Sequence, residues 1–273
     1  MSNQNKIIWI DIGTHFGQEY QSIFSTDLYF YWKIFRRLVG SKLLKRGNFL
    51  KLTEITKLNS YRKFLKKNKS FFHFTFIEAN YKILNSSIYN HAHDVFCFAI
   101  GSEKKNPLKI GRLYYADNDE TSQGNSIYKN KGNISIENFK SCFLIDANKF
   151  SDYYKTYLDE KFKSYEIILR INCEGSEDDV IYAMHKTFKN KLKLIFGSLK
   201  DVRGVKGERE YINLENYMKK NKLRFIDFSP SVHTWLNSFS ALNFYLKKIV
   251  QKTNWFNIPR HRISRLYLLK TRM

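Results

Sequence analysis

The chain has 273 residues, 43% of them hydrophobic, which is enough to bury a sizeable core in one domain with appendages. Its 47 Lys and Arg residues against 25 Asp and Glu residues give a formal charge of +22, as in proteins that contact nucleic acid, anionic membranes or acidic substrates. No apolar run is long enough to span a membrane and no signal peptide is visible, so we expect a cytoplasmic protein that can also contact the inner membrane face.

The amino-terminal stretch predicts a strand, a glycine turn and a helix. Residues 7–12 form an apolar run typical of a buried parallel strand, with Asp11 near its carboxyl end. Gly13 and Gly17 follow in a turn, and a helical pattern begins at Gln18. Glycines at the carboxyl end of a parallel strand let the backbone approach a ligand, so this turn is a candidate binding site. A strand-turn-helix that only builds the sheet has the same pattern.

Residues 27–68 look like an insertion after this first helix. Large apolar residues recur there at helical spacing: Leu28, Tyr31, Trp32, Phe35, Leu38 and Val39. Basic residues lie off this stripe, so we expect an amphipathic helix that packs its apolar stripe on the domain and exposes a basic face. A lid, or a helix that docks on an anionic surface, is the alternative. Residues 60–69 predict a second, short basic helix.

The rest of the chain alternates between strands and helices, which predicts a mostly parallel α/β sheet with helices on both faces. The predicted strands cover residues 72–78, 94–101, 140–145, 165–172, 192–196 and 223–228, with a small hairpin at 108–110 and 113–115. The predicted helices cover residues 81–90, 148–160, 180–188 and 213–220. Residues 117–126 form a polar loop, a helical pattern returns after Pro230, and residues 260–272 form a basic tail.

The three cysteines, Cys97, Cys142 and Cys173, form no Cys-x-x-Cys pair. Cys97 and Cys173 fall in apolar strand patterns, so we expect both to be buried free thiols. This usage favours a reducing compartment over a disulfide framework.

Four motifs, in this order, resemble those of the FkbM family of S-adenosylmethionine-dependent methyltransferases. The family's Asp-x-Gly-Ala-Asn-x-Gly turn is similar to residues 11–17, and its Phe-Glu-Pro strand end is similar to residues 76–80. Its Ala-x-Gly resembles residues 99–101, and its Lys-Ile-Asp-x-Glu-Gly-x-Glu element resembles residues 170–177. A Leu-Asp before the fourth strand is similar to Ile145-Asp146, and the likeness extends from about residue 7 to residue 228.

The resemblance implies a Rossmann-like class I methyltransferase fold with a mostly parallel, seven-stranded sheet. It implies a methyltransferase domain at residues 1–230, with residues 27–68 as a basic aromatic insertion and residues 231–273 as a basic helical extension. The implied activity is O-methylation with S-adenosylmethionine as cofactor, and the implied acceptor is a sugar hydroxyl of a glycan or a lipid-linked saccharide. The cofactor residues carried over from the family are Asp11, Gly13, Thr14, His15, Phe16, Gly17, Glu78, Ala79, Asn80, Ala99, Ile100, Gly101, Ser126 and Asn172.

Individual roles follow from the chemistry of these side chains. A carboxylate at a strand end can accept both ribose hydroxyl protons, so Glu78 is expected to bind the ribose. Asp11 is expected to hold the ammonium group of the cofactor, directly or through water. Ile100 and Gly101 are expected to border the adenine.

The expected catalytic residues follow the fourth main strand. Methyl transfer to a hydroxyl requires removal of its proton, and Glu174 is the expected base or acceptor-orienting group. Capping of the next helix is an equal alternative for Glu174. Asn172 is expected beside the methyl position, and His15 is a second candidate base. No metal is expected, because the segment His91-x-His93-Asp94 could place two ligands on one strand face but no third ligand is evident.

The chain departs from the family pattern at several positions. Thr14-His15 replaces Ala-Asn, Asn80 replaces proline, Asn172 replaces an aspartate, and Gly197-Ser198 stands where an acidic residue is frequent. Two other functions therefore stay open. The basic charge suits an RNA-directed methyltransferase, and Asn172 suits a catalytically degenerate fold that acts as a binding module. The turn lacks the Gly-x-Gly-x-x-Gly spacing of hydride-transferring enzymes.

Overall fold

The structure, a computed structural model, describes residues 5–39, 52–102, 106–116, 121, 123–227 and 232–254. Within these residues the strands are β1 (Lys6–Ile12), β2 (Phe72–Ile77), β3 (Asp94–Phe96), β4 (Ala99–Gly101), β5 (Leu108–Tyr114), β6 (Phe139–Asp146), β7 (Tyr165–Ile171), β8 (Leu192–Gly197) and β9 (Phe225–Asp227). Six of them form the main sheet, and all of its pairings are parallel. The expected parallel α/β sheet is confirmed, with one strand fewer in the described residues than the seven predicted.

The strand order of the main sheet is β3-β2-β1-β7-β8-β9. β1 lies inside the sheet, with β2 on one side and β7 on the other. The chain therefore builds outward in one direction from β1 to β3 and then in the other direction from β7 to β9. In open parallel sheets, ligands bind at the carboxyl ends of the strands where the order reverses, which here is between β1 and β7.

The second sheet has the order β4-β6-β5, with β6 parallel to β4 and antiparallel to β5. The single strand predicted at 94–101 is wrong, because the chain leaves the main sheet after Phe96 and joins the second sheet at Ala99. Cys97 lies in this link and is exposed, so its predicted burial is wrong as well. The predicted hairpin is one continuous strand, since Gly111 pairs with β6 instead of turning the chain.

Helices cover both faces of the main sheet. The described helices are α1 (Gln18–Phe24), α2 (Asp27–Val39), α3 (Leu52–Lys67), α4 (Ala147–Lys161), α5 (Glu177–Phe188), α6 (Lys200–Lys206), α7 (Glu208–Lys220) and α8 (Val232–Asn254). Side chains alternate along β1, so Ile8 and Ile10 join a core with α4, α5 and α7, whereas Trp9 joins a core with α1, α2, α3 and α8. None of the described helices combines the length and apolarity that crossing a bilayer requires. The predicted basic tail at 260–272 lies outside the described residues.

The helix predicted at 81–90 is wrong, because the segment forms two 3-10 turns, Tyr81–Asn85 and Ser87–His91. Ser86, between the turns, has an extended conformation with ψ of 136°. The side chain of Asn80 accepts a hydrogen bond from the backbone of Lys82 and begins the first turn. Asn and Ser compete with helical hydrogen bonds through such local contacts, which favours turns.

Helix α2 is present, but it buries a different face from the predicted one. Phe30 and Ile34 are buried in the core, whereas the described side chains of the predicted buried stripe, represented by Trp32, are exposed. The side chains of Leu38 and Val39 lie outside the description. The cause is Arg62 of α3, which is fully buried, donates to the carboxylate of Asp27 and lies over the Phe30 ring. This ion pair fixes the rotation of α2, so the helix presents apolar side chains both to the core and to its exposed surface.

Candidate active site

A cavity of about 350 Å³ lies at the carboxyl ends of β1, β2, β7 and β8, where the strand order reverses. Its walls come from the turn after β1, the segment after β2, β4 with the preceding Phe98, the polar loop around Gly124, and the loop after β7. Trp9 and Phe196, together with α1 and α8, close the other end. The expected meeting of these loops at one edge of the sheet is therefore observed.

The turn after β1 is held by left-handed backbone conformations at Gly13, His15 and Gly17, with φ of 71°, 51° and 58°. A Cβ atom at Gly13 would lie 2.1 Å from the carbonyl oxygen of Asn172, so only glycine fits there. A Cβ at Gly17 would lie 2.6 Å from a side-chain carbon of Ile88. Both glycines of the motif thus serve close packing of the turn against its neighbours.

Thr14 and His15, which depart from the family pattern, take part in holding the turn and the cavity rim. The Thr14 hydroxyl donates to the carbonyl oxygen of Asp11 at 2.8 Å. His15 Nε2 lies 2.8 Å from the carbonyl oxygen of Thr121, which can only accept, so Nε2 carries the proton. Its Nδ1 lies 3.4 Å from the side-chain amide of Gln123. Both ring nitrogens of His15 therefore contact the polar loop, and neither stands alone as a base.

Glu78 follows β2, is buried, and faces the cavity. Its Oε2 accepts the backbone N–H of His15 at 2.8 Å, and its Oε1 accepts the backbone N–H of Asn80 at 2.9 Å. Burial raises the pKa of Glu78, and these two hydrogen bonds oppose the rise. Each carboxylate oxygen can accept a further hydrogen bond, so Glu78 both fixes the turn and retains acceptor capacity toward the cavity.

Asp11 does not line the cavity, contrary to its expected role. Its carboxylate is fully buried and lies 3.1 Å from Nη1 of Arg170, whose Nη2 lies 3.1 Å from the carboxylate of Glu19. Burial raises the pKa of Asp11 to about 7, although Arg170 opposes the rise. Arg170 also donates to the carbonyl oxygen of Gly13. Arg170 and Glu19 therefore face the cavity, and Asp11 supports them from behind.

The loop after β7 brings Asn172 and Glu174 to the cavity wall beside the glycine turn. The Asn172 side-chain amide donates to Oε1 of Glu174 at 3.1 Å, and the ammonium group of Lys131 donates to Oε2. Asp201 also contacts the ammonium group of Lys131, at 3.6 Å. Burial raises the pKa of Glu174, Lys131 lowers it, and Asp201 raises it again. The carboxylate is thus held from two sides by donors.

Glu177, at the start of α5, fixes the backbone of this loop through hydrogen bonds. Its fully buried carboxylate accepts the backbone N–H of Cys173 at 2.8 Å and that of Gly175 at 2.9 Å. Glu174 between them has a left-handed conformation, with φ of 57°, that directs its side chain toward Lys131. The alternative in which Glu174 caps the helix is wrong, because its carboxylate is bonded to Asn172 and Lys131 instead.

The structure brings together a majority of the predicted cofactor residues. Those that line the cavity are Gly13, Thr14, His15, Glu78, Ala79, Ala99, Ile100 and Asn172. Those that do not line it are Asp11, Phe16, Gly17, Asn80, Gly101 and Ser126. Some of these support the walls instead: the Ser126 hydroxyl, for example, donates to the carbonyl oxygen of Glu174 at 2.7 Å. Cys173, predicted to be buried, is half-buried and lines the cavity.

An apolar arm of the cavity was not predicted. It lies on the α1 and α8 side of the sheet and is lined by Trp9, Ile23, Phe196, Phe239 and Leu242. The indole N–H of Trp9 is buried there and has no hydrogen-bond partner among the described residues. No local pattern distinguishes these residues from ordinary core residues, and α8 reaches the cavity only through tertiary packing. The arm adds an apolar surface with one unused donor to the polar half of the cavity.

Asp94, which the sequence places beside two histidines, belongs to a separate polar cluster. Its carboxylate contacts Nε2 of His73 at 2.6 Å and accepts the hydroxyl groups of Tyr154 and Tyr157, each at 2.8 Å. Although burial opposes it, these hydrogen bonds keep the pKa of Asp94 below its ordinary value. The cluster joins β3 to β2 and α4, which is a structural role.

No family model matches the chain, and neither a curated protein nor a solved structure is significantly similar to it. The function is therefore argued from the geometry and chemistry of the cavity.

Proposed function

We propose that the protein is an S-adenosylmethionine-dependent O-methyltransferase with a class I methyltransferase fold, as expected of the FkbM family. One observation carries the proposal: Glu78 and the Gly13 turn border the same cavity at the strand-order reversal, with Asn172 and Glu174 on the adjoining loop after β7. In this fold, an acid after the second strand binds the ribose of a nucleotide ligand. A glycine turn after the first strand lets the backbone approach the same ligand.

The donor and acceptor groups around the cavity fit this cofactor. Glu78 retains acceptor capacity for a ribose diol, and the apolar side chains of Phe98 and Ile100 suit a purine base. The amino acid part of the cofactor carries an ammonium and a carboxylate group. The carboxylate of Glu19 can bind the ammonium, and the guanidinium of Arg170 can bind the carboxylate. Glu19 and Arg170 thus bind the amino acid part of the cofactor, the role that the sequence predicts for Asp11. When bound, the cofactor supplies an electrophilic methyl group.

Glu174 is the proposed base for the acceptor hydroxyl. Burial raises its pKa, which brings a carboxylate closer to the range in which general bases operate. Lys131 and the amide of Asn172 fix the orientation of the carboxylate through donors, so that one lone pair of each oxygen remains available. Asn172 in place of the family's aspartate is thus compatible with transfer, because it positions Glu174 without adding a second negative charge.

The apolar arm favours an acceptor whose hydroxyl is attached to an apolar body. We therefore propose a lipid-linked saccharide rather than a free glycan. A polyanion such as RNA gains little from a surface formed by Trp9, Phe196 and Leu242. The unused indole N–H of Trp9 is available to one oxygen of such an acceptor.

The first test is calorimetry of S-adenosylmethionine binding. The wild-type protein is expected to bind, and Glu78→Gln is expected to weaken binding about 100-fold, because a neutral amide accepts fewer and weaker hydrogen bonds. Glu160→Gln, an exposed acid on α4, is the matched control and should bind normally. Absence of heat with the wild-type protein would overturn the cofactor assignment.

The second test is transfer of a labelled methyl group into host lysate separated into glycan, lipid, RNA and protein fractions. The proposed acceptor is supported if the label appears in the lipid fraction and is removed from it by hydrolysis that releases sugars. Label in RNA would replace it with the RNA-directed function. Cofactor binding without label in any fraction would favour a binding module.

A further inference from the structure

Helix α2 exposes a stripe of large apolar side chains. Leu28 is 83% exposed, and Trp32 and Phe35 are each 54% exposed. Tyr31, which is 44% exposed, completes a set spaced at i, i+3, i+4 and i+7, so all four lie on one face. We call these four residues the exposed stripe. Single exposed apolar residues are ordinary, but a contiguous stripe on one helix indicates an interaction surface.

The surroundings of the exposed stripe are basic. Helices α2, α3 and α8 lie on this side of the sheet and together contain eleven Lys or Arg residues and two acidic residues. One of these acids, Asp27, is already paired with Arg62 and Lys66. On α2 itself, the exposed Arg36 follows Trp32 by one turn and lies beside the stripe. The stripe therefore lies on the side of the sheet where basic residues outnumber acidic ones.

We propose that α2 docks the protein on an anionic lipid bilayer, with the exposed stripe in the headgroup region and Arg36 on a lipid phosphate. Interfacial helices combine an apolar face that contains Trp, Phe or Leu with basic residues on the polar face. Trp and Tyr are also favoured at the boundary between lipid and water. The proposal concerns a surface outside the cavity and does not depend on the methyltransferase assignment.

The composition of the stripe favours lipid over other occupants. RNA is recognised by stacking on aromatic rings, but Leu28, the most exposed member, has no ring to stack. A second copy of the chain would bring two basic surfaces together, which like-charge repulsion opposes. A bilayer with anionic headgroups complements both the charge and the apolar face.

The docked helix lies next to the apolar arm of the cavity. Phe30, on the buried face of α2, stacks on Phe239 of α8 with ring centroids 6.5 Å apart, and Phe239 lines the cavity. A lipid-linked acceptor held at the bilayer would thus meet the side of the protein on which the arm is built.

The test is sedimentation of the full chain with vesicles of phosphatidylcholine alone and of an equal mixture with phosphatidylglycerol. We expect binding to the mixed vesicles, weaker binding at high salt, and little binding to phosphatidylcholine alone. Trp32→Ala/Phe35→Ala should weaken partitioning at least about tenfold. Equal binding to both vesicle types, or an unchanged double variant, would overturn the proposal.

The matched control is Ile110→Ala/Phe143→Ala, which removes two exposed apolar side chains from the second sheet. It should leave vesicle binding unchanged; loss of binding in this control would move the docking surface to that sheet. Both double variants replace exposed side chains and should melt as the wild-type protein does. Light scattering provides the last check, since self-association through the stripe, abolished by Trp32→Ala/Phe35→Ala, would contradict a lipid partner.

Discussion

A Cβ atom on Gly13 would lie 2.1 Å from the carbonyl oxygen of Asn172, so the loops after β1 and β7 can approach only because Gly13 has no side chain. This contact forms one wall of the cavity. Gly13 also has φ of 71°, which L-residues adopt at a cost.

Gly13→Ala should therefore destabilise the fold and damage the cavity. We expect a loss of about 3 kcal/mol or more in the free energy of unfolding, since strain and a backbone clash act together. Urea unfolding measures the loss. Gly132→Ala is the control, because no atom lies within 4 Å of a Cβ there. Equal stability of the two variants would show that the loops are not so closely packed.

Asn172→Asp restores the residue of the family pattern, yet it should slow transfer at neutral pH. The substitution replaces a donor to Glu174 with a second carboxylate, and like charges raise the pKa of such a pair. The acid limb of the pH–rate profile, which reports ionisation of the base, should therefore shift to higher pH. Asp201→Asn should shift it to lower pH, because Asp201 raises the pKa of Glu174. Identical profiles in both variants would exclude Glu174 as the base.

Variants of His15 test whether this residue is a catalytic base or only a contact with the polar loop. Because both ring nitrogens contact the loop at Thr121 and Gln123, His15→Ala should weaken cofactor binding and leave kcat nearly unchanged. His15→Gln retains a side-chain N–H donor and should restore part of the affinity. If His15 were the base, its replacement would instead lower kcat by about 10² to 10⁴ with little change in affinity, and single-turnover kinetics would reveal this.

Glu177 predicts a pH dependence of stability. Burial raises its pKa from 4.5 to about 7 in the folded protein, so the folded state binds more protons than the unfolded state between these values. The free energy of unfolding should therefore fall as pH rises through this window, by at most about 1.4 kcal/mol per pH unit from this group.

Glu177→Gln removes that contribution and should flatten the dependence. Urea unfolding at several pH values across the window measures the slope. Glu160→Gln, on the surface, should retain the wild-type slope. An unchanged slope in Glu177→Gln would mean that its carboxylate stays ionised in the fold.

The position of the candidate site could be predicted because its signals are local. An apolar run predicts β1, and glycines directly after it predict a turn that a ligand can approach. The carboxyl ends of parallel strands meet at one edge, so Glu78 and Asn172 were expected near this turn although they are distant along the chain. The helices at 148–160, 180–188 and 213–220 were predicted by periodicity and are confirmed as α4, α5 and α7.

Other features were decided by tertiary contacts that no local pattern contains. Loop packing brings Lys131 into an ion pair with Glu174, and Arg170 pairs with the carboxylate of Asp11 outside the cavity. Arg62 of α3 sets which face of α2 is buried, although the apolar spacing of α2 predicted the other face. The sequence by itself determined the parallel sheet and the edge that carries the site, because hydrophobic periodicity and turn chemistry act between neighbours in the chain. Tertiary structure alone decided the partners of the buried charges, because each desolvated ion must find its counter-charge wherever the fold places one.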